Sequence, residues 1–364
     1  MKDLPQVEDL RVRRSGHGPI MGVQVVSARG DNKEGPLATS AHDGPPRVSI
    51  GLPLYNAERY LTQAFDSLLA QDYEDVEIIV SDNASTDRTW QICEDYAGRD
   101  ARIRLYRNSE NMGAAYNYNR TLELARGELF KWAAYDDICA PHFVCSCVEE
   151  LDRAGPGTVL VYPRTILIDD QGAEVGAYRD GLHLPSSRPH LRLAALARNL
   201  SLCNAVFGIL RTDVLRRTGL IRPYVSSDVV LLAELAALGE FHEVPEQLFF
   251  RRIHAGSSRQ GTGDLISVAR WFDPRRRDGA TRSKPRTAGH VARTLFDTDL
   301  PVLERVRCAV VFLTVWGARK AHIRGSHLKH GFLGSRVPAS IRASNATHST
   351  QVGRLDDRTQ ETTR

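Results

Sequence analysis

The chain has 364 residues, 42% hydrophobic and 25% charged, which suits a globular protein with one large domain plus an extension, or two modest domains. Net charge is only +4, yet residues 260–364 hold 19 Lys/Arg against 9 Asp/Glu. That split excludes a uniformly basic nucleic-acid coat and marks a cationic C-terminal third. The six cysteines are scattered without zinc-finger or disulfide spacing, so reduced thiols are expected. No apolar signal-peptide core opens the chain, and the apolar run at 308–316 is half the length of a membrane span. A cytoplasmic protein is the expectation, and Asn-x-Ser/Thr triplets at Asn83, Asn199 and Asn345 are then chance matches.

Residues 1–46 mix charge, Gly and Pro without periodicity and read as a disordered leader. From Arg47 a rhythm begins. The runs at 48–54, 76–80, 103–106, 128–133 and 158–162 are short and apolar, as buried strands are. Between them, 58–70, 85 onward, 114–126 and 141–152 carry helical spacing, with Gly127 as a C-cap and Pro141 at a first turn. Strands and helices alternating at this interval predict an α/β fold, a parallel sheet covered on both faces. Beyond Tyr162 the rhythm breaks. A strand-and-turn follows at 166–172, a helix near 190–200, a strand at 205–210, a helix at 228–238 and a strand pair around Pro245 within 240–252. After about 260 the chain turns Arg-rich with one helix expected at 301–321, and beyond Gly334 it reads as disordered. The expected divisions are a leader (1–46), a main domain (47–260), a basic, partly helical extension (261–334) and a tail (335–364).

Four polar clusters fall just past predicted strands: Pro53-Leu54-Tyr55-Asn56, residues 81–87, residues 108–113, and Tyr135-Asp136-Asp137. In a parallel sheet these share one rim, where ligands bind. Adjacent carboxylates raise each other's pKa unless a cation joins them, and oxygen-rich surroundings favour Mg²⁺ or Mn²⁺. Neither a P-loop nor a Gly-x-Gly-x-x-Gly turn follows the first strand, which disfavours P-loop NTPases and dinucleotide oxidoreductases. A diphosphate neutralised by a metal instead describes an activated donor such as a nucleotide-sugar.

These segments, in this order, resemble the family 2 glycosyltransferases over residues 47–259. Val48-Ser49-Ile50-Gly51-Leu52-Pro53-Leu54-Tyr55-Asn56 is similar to that family's opening strand and loop. The run at 77–87, including Asp82, Asn83 and Asp87, is similar to its nucleotide-reading segment, Asn111-Met112-Gly113 to its Asn-x-Gly turn, and Asp136-Asp137 to its Asp-x-Asp motif. The resemblance implies a GT-A fold and an inverting transfer from a nucleotide-diphospho-sugar to a glycan or lipid-linked acceptor, as in polysaccharide or glycolipid synthesis. It implies that Asp82 accepts from the base, that Pro53, Tyr55 and Glu58 shape the nucleoside pocket with Asn56, and that Asp136 contacts ribose or donor sugar. Asp137 would ligate the divalent cation, and His254 would approach the metal or diphosphate. Asp228 would be the catalytic base, with Ser227 standing where the family commonly has Glu. The alternative is a non-catalytic sugar-nucleotide or glycan-binding protein on the same fold. A nucleotidyltransferase is disfavoured, because Pro53-Leu54-Tyr55-Asn56 is no Gly-rich basic loop. No nucleic-acid partner is expected, since Arg275-Arg276-Arg277 alone is too short to argue for one. The apolar residues Val310, Val311, Phe312, Leu313, Val315 and Trp316 either pack a helix onto the main domain or lie against anionic lipid at the inner membrane face.

Overall fold

A computed structural model describes residues 44–254, 270–274 and 287–329. Nearly all of the expected leader and the whole expected tail lie outside the described residues. The first half runs β1 (Val48–Leu54), α1 (Leu61–Leu69), β2 (Val76–Asp82), α2 (Thr89–Ala97), β3 (Ile103–Arg107), α3 (Ala114–Glu123) and β4 (Leu129–Trp132). Then come β5 (Ile138–Cys139), α4 (Phe143–Ala154), β6 (Thr158–Ile168) and β7 (Glu174–Tyr178). The second half adds α5 (Pro189–Asn199), a 3₁₀ turn (Asn204–Phe207), β8 (Ile209–Arg211), α6 (Thr212–Arg216), α7 (Ser227–Leu238) and β9 (Glu240–Arg252). Two further helices, α8 (Thr287–Phe296) and α9 (Val302–Lys329), follow.

The strands form one sheet in the order β3-β2-β1-β4-β8-β6-β9-β5, with β7 pairing β6. β1 to β4 are mutually parallel, so their carboxyl ends share one edge. β8 is antiparallel to both β4 and β6, which restores the original direction in β6 and in its parallel neighbour β9. The sheet is therefore mixed where strict alternation predicts it parallel throughout. Side chains alternate between two apolar layers, as a period of two requires. Ile78, Val80 and Val161 join one layer with α1 and α4, while Ile79, Leu160 and Tyr162 join the other with α5, α7, α8 and α9. α7 is apolar on every side and buried along most of its length, as a helix enclosed by neighbours must be.

Two expectations are corrected. Residues 240–252 are one continuous strand, not a pair. Pro245 cannot donate to the ladder, and the register instead jumps from Pro163↔Val244 to Arg164↔Gln247. Residues 205–210 divide into the 3₁₀ turn and β8, because a short apolar run is ambiguous between strand and helix. Gly208 permits the change, since a Cβ there would lie 2.4 Å from the Val161 carbonyl.

The six cysteines are free, with Cys147 buried and Cys145 only partly covered. The helix expected at 301–321 is present and longer, and Phe312 on it is fully buried in the layer shared with α5 and α7. Phe312→Ala should cost about 3 kcal/mol of stability, from the lost transfer energy and the cavity left behind. Urea unfolding should show the loss in the main transition rather than in a separate minor one.

Candidate active site

The loops after β1, β2 and β3 are joined by side chains rather than by sheet. Asn56 receives the Thr86 amide on Oδ1 (2.9 Å) and donates its own amide to Ser85 Oγ (2.9 Å). Glu58 accepts from the Arg88 amide (2.9 Å), and Asp87 accepts from the amides of Glu58 (3.2 Å) and Thr89 (3.0 Å). Asn83 Oδ1 accepts from the Met112 amide (2.9 Å) and Asn108 Nδ2 (3.0 Å), while its Nδ2 donates to Asn111 (2.8 Å). Asn111 in turn accepts from the Gly113 amide (2.9 Å). Gly113 has φ +87°, and a Cβ there would sit 2.5 Å from the Phe272 carbonyl. Asp82 ends β2 fully buried, accepting from Ser85 and pairing with Arg107 (3.0 Å); burial nonetheless raises its pKa. Pro53 lies on β1 and Tyr55 stands exposed at the rim.

The second group gathers around Arg252, at the end of β9. Its buried guanidinium donates to the carbonyls of Asp136 (2.9 Å), Asp169 (3.0 Å) and Asp170 (3.2 Å) and to Gln63 Oε1 (2.6 Å), and lies 4.7 Å from the Tyr60 ring centre. The Arg252 amide donates to Asp137 Oδ1 (2.9 Å). His254 Nε2 is 2.9 Å from Asp136 Oδ2, and its ring packs against Tyr60. Asp137 is only 8% exposed, and burial, reinforced by the Asp136 charge, pushes its pKa up to about 7.

A divalent cation suits this donor set. Two adjacent carboxylates, one of them strained toward its neutral form by burial and repulsion, gain from a shared positive charge, and His254 adds a nitrogen beside them. Among the described residues, no three acidic, His or Cys side chains converge closely enough to enclose an ion by themselves. Ligand oxygens would have to complete the coordination, as Mg²⁺ and Mn²⁺ sites commonly allow.

Asp228 opens α7, accepting from the Val229 amide (2.9 Å), after Ser226 in a left-handed conformation (φ 69°). It lines a pocket of about 590 Å³ including the mouth, whose walls include Tyr118, Trp132, Phe207, Ile221 and Arg251. Tyr118 and Arg251 also interact electrostatically with the carboxylate pair. Burial raises the Tyr118 phenol, and the charges of Asp136 and Asp137 raise it further, while Arg251 acts to lower the Asp137 pKa. Three of the described non-glycine residues with positive φ (Asn56, Ala84 and Ser226) flank expected site residues, the kind of backbone strain that collects at functional sites.

Of the residues anticipated on the nucleotide side, Asn56, Glu58, Asp82, Asn83, Asp87, Asn111 and Gly113 are tied together by hydrogen bonds, while Pro53 and Tyr55 only share their rim. Asp136 instead joins Asp137 and His254 in a second group, and Asp228 lines the pocket that Tyr118 and Arg251 also line. Three contributors were not anticipated. Arg252 stood in the same segment as His254 with no role assigned to it, Asn117 carried no assignment, and Ser227 was a departure from the family's common Glu. Asn117 is buried and ties Ser81, Leu54 and Asn108 together; its signal was an amide on the face of α3 that also buries Ala115, Thr121 and Leu122.

Folded, Asp137 keeps its proton to about pH 7, whereas unfolded it loses it in the ordinary carboxylate range. Its ionisation therefore costs stability that is absent below about pH 4 and complete above about pH 7. Asp137→Asn, which can still accept from the Arg252 amide, should raise the metal-free melting temperature at pH 8. The gain should shrink steadily as pH falls from 7 to 4 in a series of thermal melts.

Residues 49–219 match the family model described as Glycosyl transferase family 2. An uncharacterized glycosyltransferase of Haemophilus influenzae is 29% identical over 220 residues, 58% of this chain and 67% of that protein. Uncharacterized glycosyltransferases of Rickettsia felis and Rickettsia typhi are 32% and 35% identical over 43% and 35% of this chain. These matches span only 25% and 38% of the Rickettsia proteins' own lengths. Among solved structures, S. aureus TarS 1-349 superposes with TM-score 0.54 at 17% identity, covering 75% of this chain and 72% of that one. The same fragment in complex with UDP-GlcNAc gives 0.55, covering 75% and 73%. The curled, mostly parallel sheet with helices on both faces is the GT-A fold, and residues 49–219 are similar to the family 2 glycosyltransferases.

Proposed function

We propose that the chain is an inverting transferase that moves a sugar from a nucleotide-diphospho-sugar to a hydroxyl of a glycan or lipid-linked acceptor. The observation that carries this reading is the pocket lined by Asp228 together with Tyr118 and Arg251, two side chains that interact electrostatically with the Asp136-Asp137 pair. A proton-accepting carboxylate and a charge-holding pair within reach of one pocket is what a displacement at an anomeric carbon needs. The solved TarS complex with UDP-GlcNAc supports the same class of donor.

In this reading Asp228 takes the proton of the acceptor hydroxyl as that oxygen attacks. Asp137 and His254, with Asp136 beside them, would hold a divalent cation, Mn²⁺ or Mg²⁺. When bound, that ion offsets charge growing on the departing diphosphate. The networked loops carrying Pro53, Tyr55, Asn56, Glu58, Asp82, Asn83, Asp87, Asn111 and Gly113 shape the nucleoside side. Because Asp82 already serves Ser85 and Arg107, its role is to fix that loop as much as to meet a base. Arg252 holds the Asp136-Asp137 loop against the β6–β7 turn and α1, so both substrates meet prepositioned groups.

The reading extends to a peripheral contact at the inner membrane face. No helix among the described residues is long and apolar enough to cross a membrane. Along α9, however, Leu303, Val306, Val310 and Leu313 are exposed at helical spacing, and the helix carries six Lys/Arg against one Glu. An apolar stripe with basic flanks suits an anionic lipid surface.

Donor binding and transfer should separate in two variants. Asp137→Ala should weaken donor binding and remove its dependence on added Mn²⁺ or Mg²⁺. Asp228→Asn should keep donor affinity and lose at least about 100-fold in transfer, the lower range for a positioned base. Donor binding indifferent to divalent ions would refute the cation, and full transfer by Asp228→Asn would refute the base. For the surface contact, sedimentation with phosphatidylglycerol vesicles should be strong at low salt, weak with phosphatidylcholine, and lost in the Val310→Glu, Leu313→Glu double variant.

A further inference from the structure

We propose that the pocket beside Asp228 is the subsite for an acetamido group on a sugar ring, with Ser227 as its hydrogen-bonding partner; the assignment rests on the transferase reading above. Ser227 is fully buried, lines this pocket, and its hydroxyl has no hydrogen-bond partner among the described residues. Buried hydroxyls are nearly always paired, because stranding one away from water is costly. A partner supplied by a bound molecule removes that cost.

The rest of the lining narrows the chemistry. Trp132, Val206, Phe207 and Ile221 present apolar surface, while Asp228 and Arg251 are the charged members. Arg251 is already engaged with the Leu202 carbonyl and Asn204. A plain hexose hydroxyl entering here would meet Ser227 but would be desolvated against the surrounding apolar wall. A deoxy-sugar methyl would fill the apolar part and leave Ser227 unpaired. An acetamido group answers both, placing its methyl against the apolar wall and its amide N–H or C=O on the Ser227 hydroxyl, which can donate or accept. Selectivity of this kind is strong in enzymes, because the wrong substrate leaves a buried polar group without a partner.

The group could belong to the donor sugar or to the acceptor, and two arms of one experiment separate these. Saturation-transfer NMR and titration on the full chain would compare UDP-GlcNAc with UDP-glucose, and methyl N-acetylglucosaminide with methyl glucoside. In one arm the acetyl methyl protons should receive the strongest saturation, and the N-acetyl member should bind about tenfold more tightly. Ser227→Ala should cut that preference about three- to tenfold, the range expected for one neutral hydrogen bond. UDP itself, which lacks the group, should bind wild type and variant alike. Val206→Phe, which fills the pocket from another wall, should abolish the preference, and thermal melts would establish that both variants are folded. Equal affinity for both members in both arms, or a preference that survives both substitutions, would overturn the assignment. Sugar transfer without any acetamido preference would refute this subsite and leave the transferase reading standing. A glycoside preference without binding of either UDP-sugar would support the subsite while removing support for a uridine-based donor.

Discussion

Two neighbouring carboxylates in a mostly buried loop repel each other, and the surrounding protein has to hold them together against that repulsion. At Asp137, burial first and the Asp136 charge second push the pKa up. The restraint comes from Arg252. Its backbone amide reaches the Asp137 carboxylate, and its guanidinium grips the Asp136 carbonyl. The same side chain reaches the β6–β7 turn and α1, elements far apart in sequence. A buried guanidinium serves here because its five donors can satisfy several carbonyls at once, which a lysine ammonium cannot do in a fixed plane. The loop thus keeps a geometry in which a positive charge would be welcome.

The two groups of expected site residues are built on opposite principles. After β1 to β3, loops are pinned by amide and carboxylate side chains that consume one another's hydrogen-bonding capacity, from Asn56 through Asn83 to Asn111 and Gly113. Such a network is rigid and polar, and it leaves the rim groups already oriented. On the Asp228 side, the walls are aromatic and aliphatic, and the charged groups are few. Low polarity there strengthens each electrostatic contact that is made. It also makes a stranded hydroxyl such as that of Ser227 costly, which is why its lack of a partner is informative.

Much of this was legible in the chain. Strands β1 to β4 and the helices between them fell where the apolar period predicted, because each is a local pattern. The caps did not: α3 ends at Glu123 with Leu124 rather than Gly127 after it, and α2 begins only at Thr89. The polar clusters after those strands were also legible, since parallel strands deliver their carboxyl ends to one edge whatever the side chains are. The antiparallel β8 was not, because orientation depends on which strand a segment finds across the sheet. The long β9 was misread at Pro245, where local sequence says break and the ladder absorbs the break as a bulge. Arg252 beside His254 was given no role, because its side-chain partners lie 82 to 189 residues away and no local pattern encodes that.

The C-terminal helices have a claim on the site that their composition alone does not suggest. α8 and α9 contribute Val291, Leu295, Cys308 and Phe312 to the apolar layer that encloses α7, the helix that presents Asp228. His290 on α8 stacks on Tyr224, three residues before Ser227, with ring centres 4.3 Å apart. From the other direction, Glu234 on α7 takes both Arg222 and the Gly219 amide, folding the preceding loop back against the helix. The start of α7 is therefore held by its own ion pair on one side and by α8 on the other. With Ser226 strained at positive φ, that double restraint keeps Ser227 and Asp228 facing the pocket instead of relaxing the turn. Charge made the last third of the chain look like a surface accessory; packing makes α8 and α9 part of the wall against which α7 is set.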